Sequence, residues 1–257
     1  MSLEKTAVFF VGRLTSTRLP RKILLPIEDK PMMMHHFDRM KLAQKPERFI
    51  LCTSTESADD ELAAAAKEYG FDVFRGSESD VPGRLLNACK EFDIDTFILA
   101  ETDEHFSDPD HVDLLLSHVE TKGGDWVHIN GNPIGAWIRA VSRHAMQTLC
   151  DDMDTDNLSG WGLYFDKYPD KFKLAEFQVF SDEDAAFNDK LRLTIDYPED
   201  FELAVELYKR LYKPGTPLRL NEVLAELKAH PELIDINLHR QDHYEANIKA
   251  QSAGIIE

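Results

Sequence analysis

The 257-residue sequence has few cysteines and no long apolar run. Cys52, Cys89 and Cys150 are widely separated, odd in number and without a CxxC or zinc-type spacing. This pattern argues against a disulfide framework and a zinc module, and we interpret all three as small apolar residues. The apolar run at residues 7–11 is too short for a signal peptide, and no segment approaches a membrane span. A cytoplasmic protein without membrane contact is the expectation.

Positive charge is also scarce, because 29 lysines and arginines face 47 acidic residues and leave a net charge of -18. Such an excess repels phosphates, so general binding to nucleic acid or to an anionic membrane is not expected. One local phosphate site is still compatible with it. With 43% hydrophobic residues the chain can bury a sizeable core. Without a long linker, residues 1–245 are predicted to form a single domain, followed by a tail at 246–257.

Short apolar runs alternate with segments of helical period over the first half of the chain. Strands are predicted at residues 7–11, 48–54, 72–76 and 95–102, with helices between them, one of them capped by Ser57. This alternation predicts an α/β fold with a mostly parallel sheet and helices on both faces. Ligands of such folds bind at the carboxyl ends of the strands.

The pattern changes after about residue 124. The stretches DWVHING, GAWIRAVS and KFKLAEFQVF read as strands without long helices between them, which predicts a smaller antiparallel β addition over about 125–190. LRLTID at 191–196 then reads as a strand followed by a helix, and a last helix follows at about 218–233.

The loop after the first strand, GRLTSTRLPRK, concentrates positive charge and contains no acidic residue. It matches neither the Walker A pattern nor GxGxxG. Arg13, Arg18 and Lys22 nevertheless offer cationic donors, while Ser16 and Thr17 offer hydroxyl and backbone N–H groups. At the carboxyl end of a strand these groups favour a phosphate site over a solvated basic loop.

Two acidic stretches are candidates for a hard cation. Asp103 follows the strand at 95–102, and Asp196 ends the strand before Pro198. Mg²⁺ binds through one or two carboxylates plus phosphate oxygens, which both aspartates could supply. Asp196 could equally be a helix-capping carboxylate, and Asp200 is expected to be solvated or stabilised by the helix dipole. His35 and His36 face different ways on a helix, which disfavours a shared metal site.

The motif RLTSTRLPRKIL resembles the RxxSTRLPxKxL signature of cytidylyltransferases that make CMP-activated acidic sugars. Among these, the spore-coat polysaccharide group is the nearer match and the CMP-3-deoxy-manno-octulosonate synthetases are related. The resemblance also covers ILCTSTESADDELAAAAKEYGFDVFRGSESDVPGRL and LRLTIDYPEDFELAVELYKRLY. It implies a Rossmann-like nucleotidyltransferase domain and transfer of CMP from CTP to a sugar acid, with release of pyrophosphate.

The resemblance further implies roles for individual residues. Arg13 and Lys22 would be catalytic, and Asp103 and Asp196 would bind Mg²⁺. The nucleotide would contact Arg13, Ser16, Thr17, Arg18, Lys22, Thr53, Ser54, Arg75, Asp80 and Arg84. Members of the family resemble one another in forming homodimers through the later β-rich part, so a homodimer is expected. The acceptor would bind to the segment at about 125–185.

The chain departs from the family pattern at three places. Arg21 stands where a glycine is usual, Val11 and Gly12 replace glutamine and alanine, and the GDxP motif reads TDEH at 102–105. These changes leave open a catalytically degenerate relative that only binds a nucleotide or sugar. A nucleotide-sugar glycosyltransferase with a DxD-like motif is a third possibility, for which Asp182, Glu183 and Asp184 are the candidate residues.

Overall fold

A seven-stranded sheet runs through the centre of the protein. The computed structural model describes residues 5–156, 160–243 and 246. The strands of the large sheet lie in the order β5-β4-β1-β6-β8-β7-β9, and β2 and β3 form a separate two-stranded antiparallel sheet. The strands are β1 Thr6–Val11, β2 Pro26–Ile27, β3 Lys30–Pro31, β4 Arg48–Ser54, β5 Asp72–Gly76, β6 Thr96–Glu101, β7 Trp126–Asn130, β8 Arg139–Ser142 and β9 Leu174–Gln178.

Helices cover both faces of this sheet. They are α1 Met32–Met40, α2 Asp60–Glu68, α3 Val81–Glu91, α4 Pro109–Lys122, α5 Arg143–Asp152, α6 Leu163–Lys167, α7 Asp182–Asn188, α8 Pro198–Leu211 and α9 Leu220–Ala229. Alternate residues of β1 point to opposite faces, so Phe10 packs in the core under α1, α4, α8 and α9, whereas Phe9 packs in the core under α3, α5 and α6. The predicted α/β fold, a mostly parallel sheet with helices on both faces, is confirmed.

The order of the strands reverses direction at β1 and β6. From β1 the chain proceeds outward through β4 and β5, and then returns to place β6 on the other side of β1. All four strands are parallel, so their carboxyl ends share one edge. A crevice at such a switch point is the usual ligand site of an open α/β sheet. The loops at 12–22 and 102–108 both begin there.

The later part of the chain differs in detail from the prediction. Its strands extend the large sheet, with β8 antiparallel to β6 and β7, and β9 parallel to β7. The expected absence of long helices was wrong, because α5 occupies Arg143–Asp152 between β8 and β9. Ser142 caps this helix by accepting from the Ala145 N–H. The predicted tail at 246–257 lies outside the described residues except for residue 246.

The strand predicted at 191–196 does not form. This segment is extended, but it makes only one isolated bridge, between Ile134 and Arg192. Its backbone donors bond to loops instead: Leu193 N–H donates to Ile134 O at 2.7 Å, and Ile195 N–H donates to Asp103 O at 3.1 Å. The segment is therefore fixed against the loop after β6, which brings Asp196 to the crevice. Ser57 begins a 3-10 turn rather than capping α2, which starts at Asp60.

Among the described helices, none combines the length and the apolar character needed to cross a membrane.

Candidate active site

Lys22 lies at the centre of a charge cluster at the carboxyl edge of the sheet. Its Nζ donates to Asp103 Oδ2 at 3.2 Å, to Asp196 Oδ1 at 3.1 Å and to the Ile195 carbonyl at 2.6 Å. The side chain is almost fully buried. Burial lowers the pKa of this ammonium, but the two carboxylates outweigh burial and raise its pKa above the ordinary value. Lys22 is thus a fixed positive charge at neutral pH.

Asp196 is held in position by a buried ion pair behind it. Asp200 accepts from Arg192 Nε and Nη2, both at 2.9 Å, and from the backbone N–H groups of Asp196 and Tyr197, also at 2.9 Å. Asp200 is 2% exposed and Arg192 is 1% exposed. Of the two expectations for Asp200, solvation was wrong, whereas its place in the first turn of α8 agrees with stabilisation by the helix dipole. The Asp200 carboxylate at the start of α8 shapes the turn that presents Asp196. The sequence did not reveal the pairing of Asp200 with Arg192, because the Arg192 side chain could have pointed to either side of the segment.

Arg18 and Arg13 of the loop at 12–22 are also paired with carboxylates. Arg18 Nη2 donates to Asp196 Oδ1 at 2.8 Å, and its guanidinium lies 5.2 Å from the centre of the Tyr197 ring. Arg13 Nη1 donates to Glu78 Oε1 at 3.0 Å. The Thr15 hydroxyl donates to the same oxygen of Glu78 at 2.8 Å. Both guanidinium groups are partly exposed, so phosphate oxygens could compete with these carboxylates.

A buried carboxylate holds the start of this loop. Asp59 accepts from the Leu14 N–H at 2.7 Å and from the Ser54 hydroxyl. Further along, the Arg21 N–H donates to Leu14 O at 3.3 Å. Arg21 has a φ of 56°, which is the left-handed region that favours glycine. The backbone thus keeps the conformation for which a glycine is usual, although the side chain has changed.

The loop borders a cavity of about 540 Å³ between the ends of β1 and β6. Five of the predicted residues of the loop, together with Arg84 and Asp103, lie on its wall. Asp196 is not part of the wall, but its carboxylate accepts hydrogen bonds from two wall residues, Lys22 and Arg18. The lining residues are Val11, Gly12, Arg13, Thr15, Ser16, Thr17, Arg18, Lys22, Glu78, Ser79, Val81, Arg84, Glu101, Thr102, Asp103, Gly160 and Trp161.

Four predicted nucleotide contacts are not on the wall of this cavity, as far as the described residues define it. Thr53 and Ser54 are fully buried. Arg75 bonds to the carbonyls of Ser54 and Glu56 and to Asp60, and so ties β5 to the start of α2. Asp80 caps α3 and accepts from the Gly83 N–H at 2.7 Å. These contacts stabilise the wall from behind, and a direct role toward the nucleotide stays a prediction.

Glu101 is a site residue that the sequence reasoning missed. It ends β6, lines the cavity and is half-buried. Burial, with a contribution from Asp103, raises the pKa of Glu101 to about 7. A charged residue at the end of the apolar run DTFILAET was the available signal. Trp161 and Gly160 had no such signal, because they come from a segment far away in the sequence.

Comparisons with known proteins agree with this geometry. A sequence model of the cytidylyltransferase family matches residues 8–228. The chain belongs to the cytidylyltransferase family. It is 27% identical to the spore coat polysaccharide biosynthesis protein SpsF of Bacillus subtilis over 230 residues, which covers 86% of this chain and 93% of SpsF. It is 29% identical over 111 residues to the 3-deoxy-manno-octulosonate cytidylyltransferase of Chlorobium limicola, which covers 42% and 43% of the two chains.

Solved structures show the same relationship. A cytidylyltransferase from Leptospira borgpetersenii superposes with a TM-score of 0.80 at 25% identity, covering 90% of this chain and 96% of that chain. The CMP:2-keto-3-deoxy-manno-octonic acid synthetase in complex with CTP superposes with a TM-score of 0.62 at 16% identity, covering 80% and 99%, which supports the fold. The nucleotidyltransferase fold is thus shared along most of the chain.

Two departures from the cytidylyltransferase pattern are adjacent in space. The Thr102 N–H donates to Val11 O at 3.0 Å, which sets Thr102 beside Gly12. A Cβ added at Gly12 would lie only 2.4 Å from Thr102 Oγ1. The side chain missing at Gly12 therefore makes room for the one gained at Thr102, so the two changes act as a pair.

The remaining change in the TDEH stretch is His105, which stands where the family has a proline, and buried polar contacts hold the loop around it. Arg39, fully buried on α1, donates to the carbonyls of His105 and Ser107. The His105 ring contacts the Tyr208 hydroxyl through Nε2 at 3.0 Å. Glu104 accepts from the backbone N–H of Gly135 and of Trp137. A network of buried polar contacts therefore fixes the loop where the family uses a proline.

The donor chemistry of this cytidylyltransferase fits a hard cation. Asp103 and Asp196 both contact Lys22 Nζ, and Asp103 retains an exposed fraction of 35% toward the cavity. Two carboxylates that share a site with phosphate oxygens are the donor set that Mg²⁺ prefers. In the described part of the chain, no group of three or more histidine, cysteine and acidic side chains could hold a metal ion.

Proposed function

We propose that the protein transfers CMP from CTP to an acidic sugar of the 2-keto-3-deoxy type in the cytoplasm, with release of pyrophosphate, for surface polysaccharide synthesis. The observation that carries this proposal is the convergence of Lys22, Asp103 and Asp196 at the switch point of the sheet. Membership in the cytidylyltransferase family and similarity to SpsF support CTP and the polysaccharide role.

The charge distribution of the site suits this reaction. Nucleotidyl transfer requires positioning and neutralisation of charge more than covalent chemistry. Arg13 and Arg18 would bind the triphosphate, with Ser16 and Thr17 donating from the loop. Lys22 would stabilise the negative charge that develops on the α-phosphate and the leaving pyrophosphate while an acceptor oxygen attacks in line. Mg²⁺, when held by Asp103 and Asp196, would supply further neutralisation of phosphate charge.

We further propose that the protein is a homodimer that associates through the segment at about 125–190. Strand β9 is at one end of the strand order in the sheet. Leu174 on this strand and Val179 just after it are large apolar side chains with exposed fractions of 36% and 39%. Light scattering coupled to gel filtration tests the proposal. A mass of about one chain (29.4 kDa) at micromolar concentration would contradict it.

The reaction is tested by pyrophosphate release from CTP with a panel of 2-keto-3-deoxy sugar acids in the presence of Mg²⁺. We expect turnover with at least one acid and no turnover without metal. CTP binding is measured in parallel by calorimetry, with and without Mg²⁺, for the wild type and Asp103→Asn. Tight binding of CTP without turnover, and without a metal effect, would favour the catalytically degenerate relative over the enzyme.

A further inference from the structure

Arg139 is a cation beside the phosphate site that the reaction described above does not use. Strand β8 pairs antiparallel with β6, so Arg139 lies directly opposite Leu99. Residues directly opposite in such a pair share a face, and Glu101 shares the face of Leu99 because it lies two residues further on. Arg139 and Glu101 therefore occupy the same face of the sheet at neighbouring strands, and Glu101 lines the phosphate cavity.

The guanidinium of Arg139 is held by aromatic rings. It lies 5.3 Å from the centre of the Trp126 ring and 5.5 Å from that of Trp137. Trp161, which lines the cavity, packs edge-on against Trp126 with 5.8 Å between ring centres. Arg139 thus lies between Trp137 and the contacting pair of Trp126 and Trp161. Stacking on such rings restricts an arginine while leaving its N–H groups available.

Arg139 differs from the other cations of the site in its partners. Arg13, Arg18 and Lys22 each pair with a carboxylate. Arg139 makes no hydrogen bond and no ion pair with any residue that the structure describes. The residue is half-buried, so part of its side chain is open to solvent.

The turn that leads to Arg139 is rigidly attached to the loop after β6. Glu104 Oε2 accepts from Gly135 N–H at 2.8 Å and from Trp137 N–H at 2.7 Å, and the Phe106 N–H donates to Gly135 O at 2.8 Å. Trp137 Nε1 donates to Asn132 O at 3.0 Å. These bonds fix the backbone that leads to Arg139 relative to Asp103, the residue before Glu104 in the same loop. A fixed side chain of this kind loses little entropy on binding.

We propose that Arg139 binds the carboxylate of the acceptor, in a subsite bordered by Trp137 and Trp161 next to the phosphate cavity. The inference rests on the proposed function and assigns one residue to the acceptor. A carboxylate entering this region would be repelled by Asp103, and by Glu101 whenever that group is ionised, unless a cation received it. The planar guanidinium offers two parallel N–H groups that match the two oxygens of a carboxylate.

The experiment compares wild type, Arg139→Gln and Arg139→Lys in steady-state pyrophosphate release. In Arg139→Gln we expect the KM for the sugar acid to rise by about 10- to 100-fold, the effect of one charge-assisted hydrogen-bonding group. The KM for CTP should change less than about threefold. Arg139→Lys keeps the charge but loses the planar pair of N–H groups, so its KM for the sugar acid should lie between those of wild type and Arg139→Gln. Arg143→Gln is the matched control, because Arg143 is paired with Asp93 and Asp95 away from the cavity.

A chemical variant of the acceptor makes the test specific. The methyl ester of the same acid lacks the charge that Arg139 would bind, so wild type and Arg139→Gln should use the ester equally poorly. A loss in Arg139→Gln that is as large with the ester as with the acid would overturn the proposal, since it would reflect damaged packing of the tryptophans. An unchanged KM for the acid in Arg139→Gln would also overturn it.

The outcome separates this inference from the proposed function. If wild type releases no pyrophosphate with any acid, the proposed reaction fails, and Arg139 is then tested by calorimetric titration of 3-deoxy-manno-octulosonate into protein saturated with CTP. Binding to wild type that is lost in Arg139→Gln supports the subsite. Absence of binding to wild type, or equal binding to both, contradicts it.

Discussion

The cations on the phosphate side of the site and the cation on the acceptor side are held in different ways. Arg13, Arg18 and Lys22 are each positioned by a carboxylate, and Lys22 by two. Arg139 is positioned by two tryptophan rings and by a turn that Glu104 holds through backbone N–H groups. Carboxylates keep the first group in place without a ligand. Rings keep the second in place while its hydrogen-bonding groups stay free.

This difference has a consequence for ligand binding. A triphosphate must exchange with, or share, the carboxylates that already contact the loop cations. For Arg13 the exchange costs little, because its pair with Glu78 is partly exposed and such pairs contribute about 0–1 kcal/mol. For Lys22 the pairs are buried, so the cation stays between Asp103 and Asp196 and acts as a fixed charge.

The largest effect is expected from Asp200→Asn. This change removes the buried carboxylate closest to Arg192, whose contact with Asp196 is longer, at 3.7 Å. Breaking a buried pair of this kind costs about 3–5 kcal/mol of unfolding free energy, or roughly 6–20 °C in Tm for a chain of this size. Thermal unfolding measures the loss. Glu199→Gln is the control, because Glu199 pairs with Arg240 at a partly exposed position and should cost less than about 1 kcal/mol. Equal losses in both variants would show that Asp200 does not support the phosphate side.

Lys22→Met should have the next largest effect, on turnover. Removal of one fixed charge that faces the developing negative charge lowers kcat by about 10²–10³-fold. Pyrophosphate release under saturating CTP measures this change. Lys45→Met removes an exposed lysine that pairs with Glu120, and it should leave kcat unchanged. If Lys22→Met raised only the KM for the acceptor and left kcat unchanged, Lys22 would belong to the acceptor side, which would contradict the comparison.

Gly12→Ala should have a smaller effect, because the new Cβ meets Thr102 and overpacking of this kind costs about 1–3 kcal/mol. Thr102→Gly should recover most of the loss in the double variant, and a thermal-unfolding cycle over the four proteins measures the coupling. In the control Gly162→Ala, a Cβ would lie at an ordinary 3.4 Å from Trp126. Additive effects at Gly12 and Thr102 would contradict the pairing.

Arg21→Gly should have the smallest effect. Glycine relieves the strain of the left-handed backbone but adds entropy to the unfolded chain. The free energy of unfolding should therefore stay equal or rise by about 1 kcal/mol or less, which thermal unfolding measures. The lost ion pair with Glu61 is exposed and contributes little. Arg21→Ala removes the same charge without relieving the backbone, so it should be less stable than Arg21→Gly. The reverse order would show that the entropy glycine adds to the unfolded chain outweighs the backbone strain at this position.

The boundaries of the early strands followed from local pattern. The run RFILCTS at 48–54 is strand β4 without correction, and DVFRG at 72–76 is β5. Buried parallel strands consist almost wholly of apolar residues, so they stand out in the sequence. LRLTID has the same composition but forms no strand, because its backbone donors bond to the loops at Ile134 and Asp103. Composition does not reveal which backbone partner a segment will meet.

The candidate site shows the same limit. The residue types in the loop at 12–22 and after β6 were visible in the sequence, and the edge of a parallel sheet predicts that they meet. The sequence did not reveal Glu101 as a wall residue or Arg139 as an unpaired cation, since both depend on the neighbours that β8 and the tryptophans provide. It also did not distinguish Asp200 from a solvated carboxylate.

The sequence by itself determined the α/β alternation, the position of the phosphate loop and the family, because apolar periodicity and a short motif are properties of neighbouring residues. Only the tertiary structure decided that Lys22 contacts Asp196 across 174 positions, that Gly12 accommodates Thr102, and that Arg139 stacks on tryptophans. These contacts join distant segments at the carboxyl edge of the sheet. Their geometry depends on strand order and register, which no local pattern encodes.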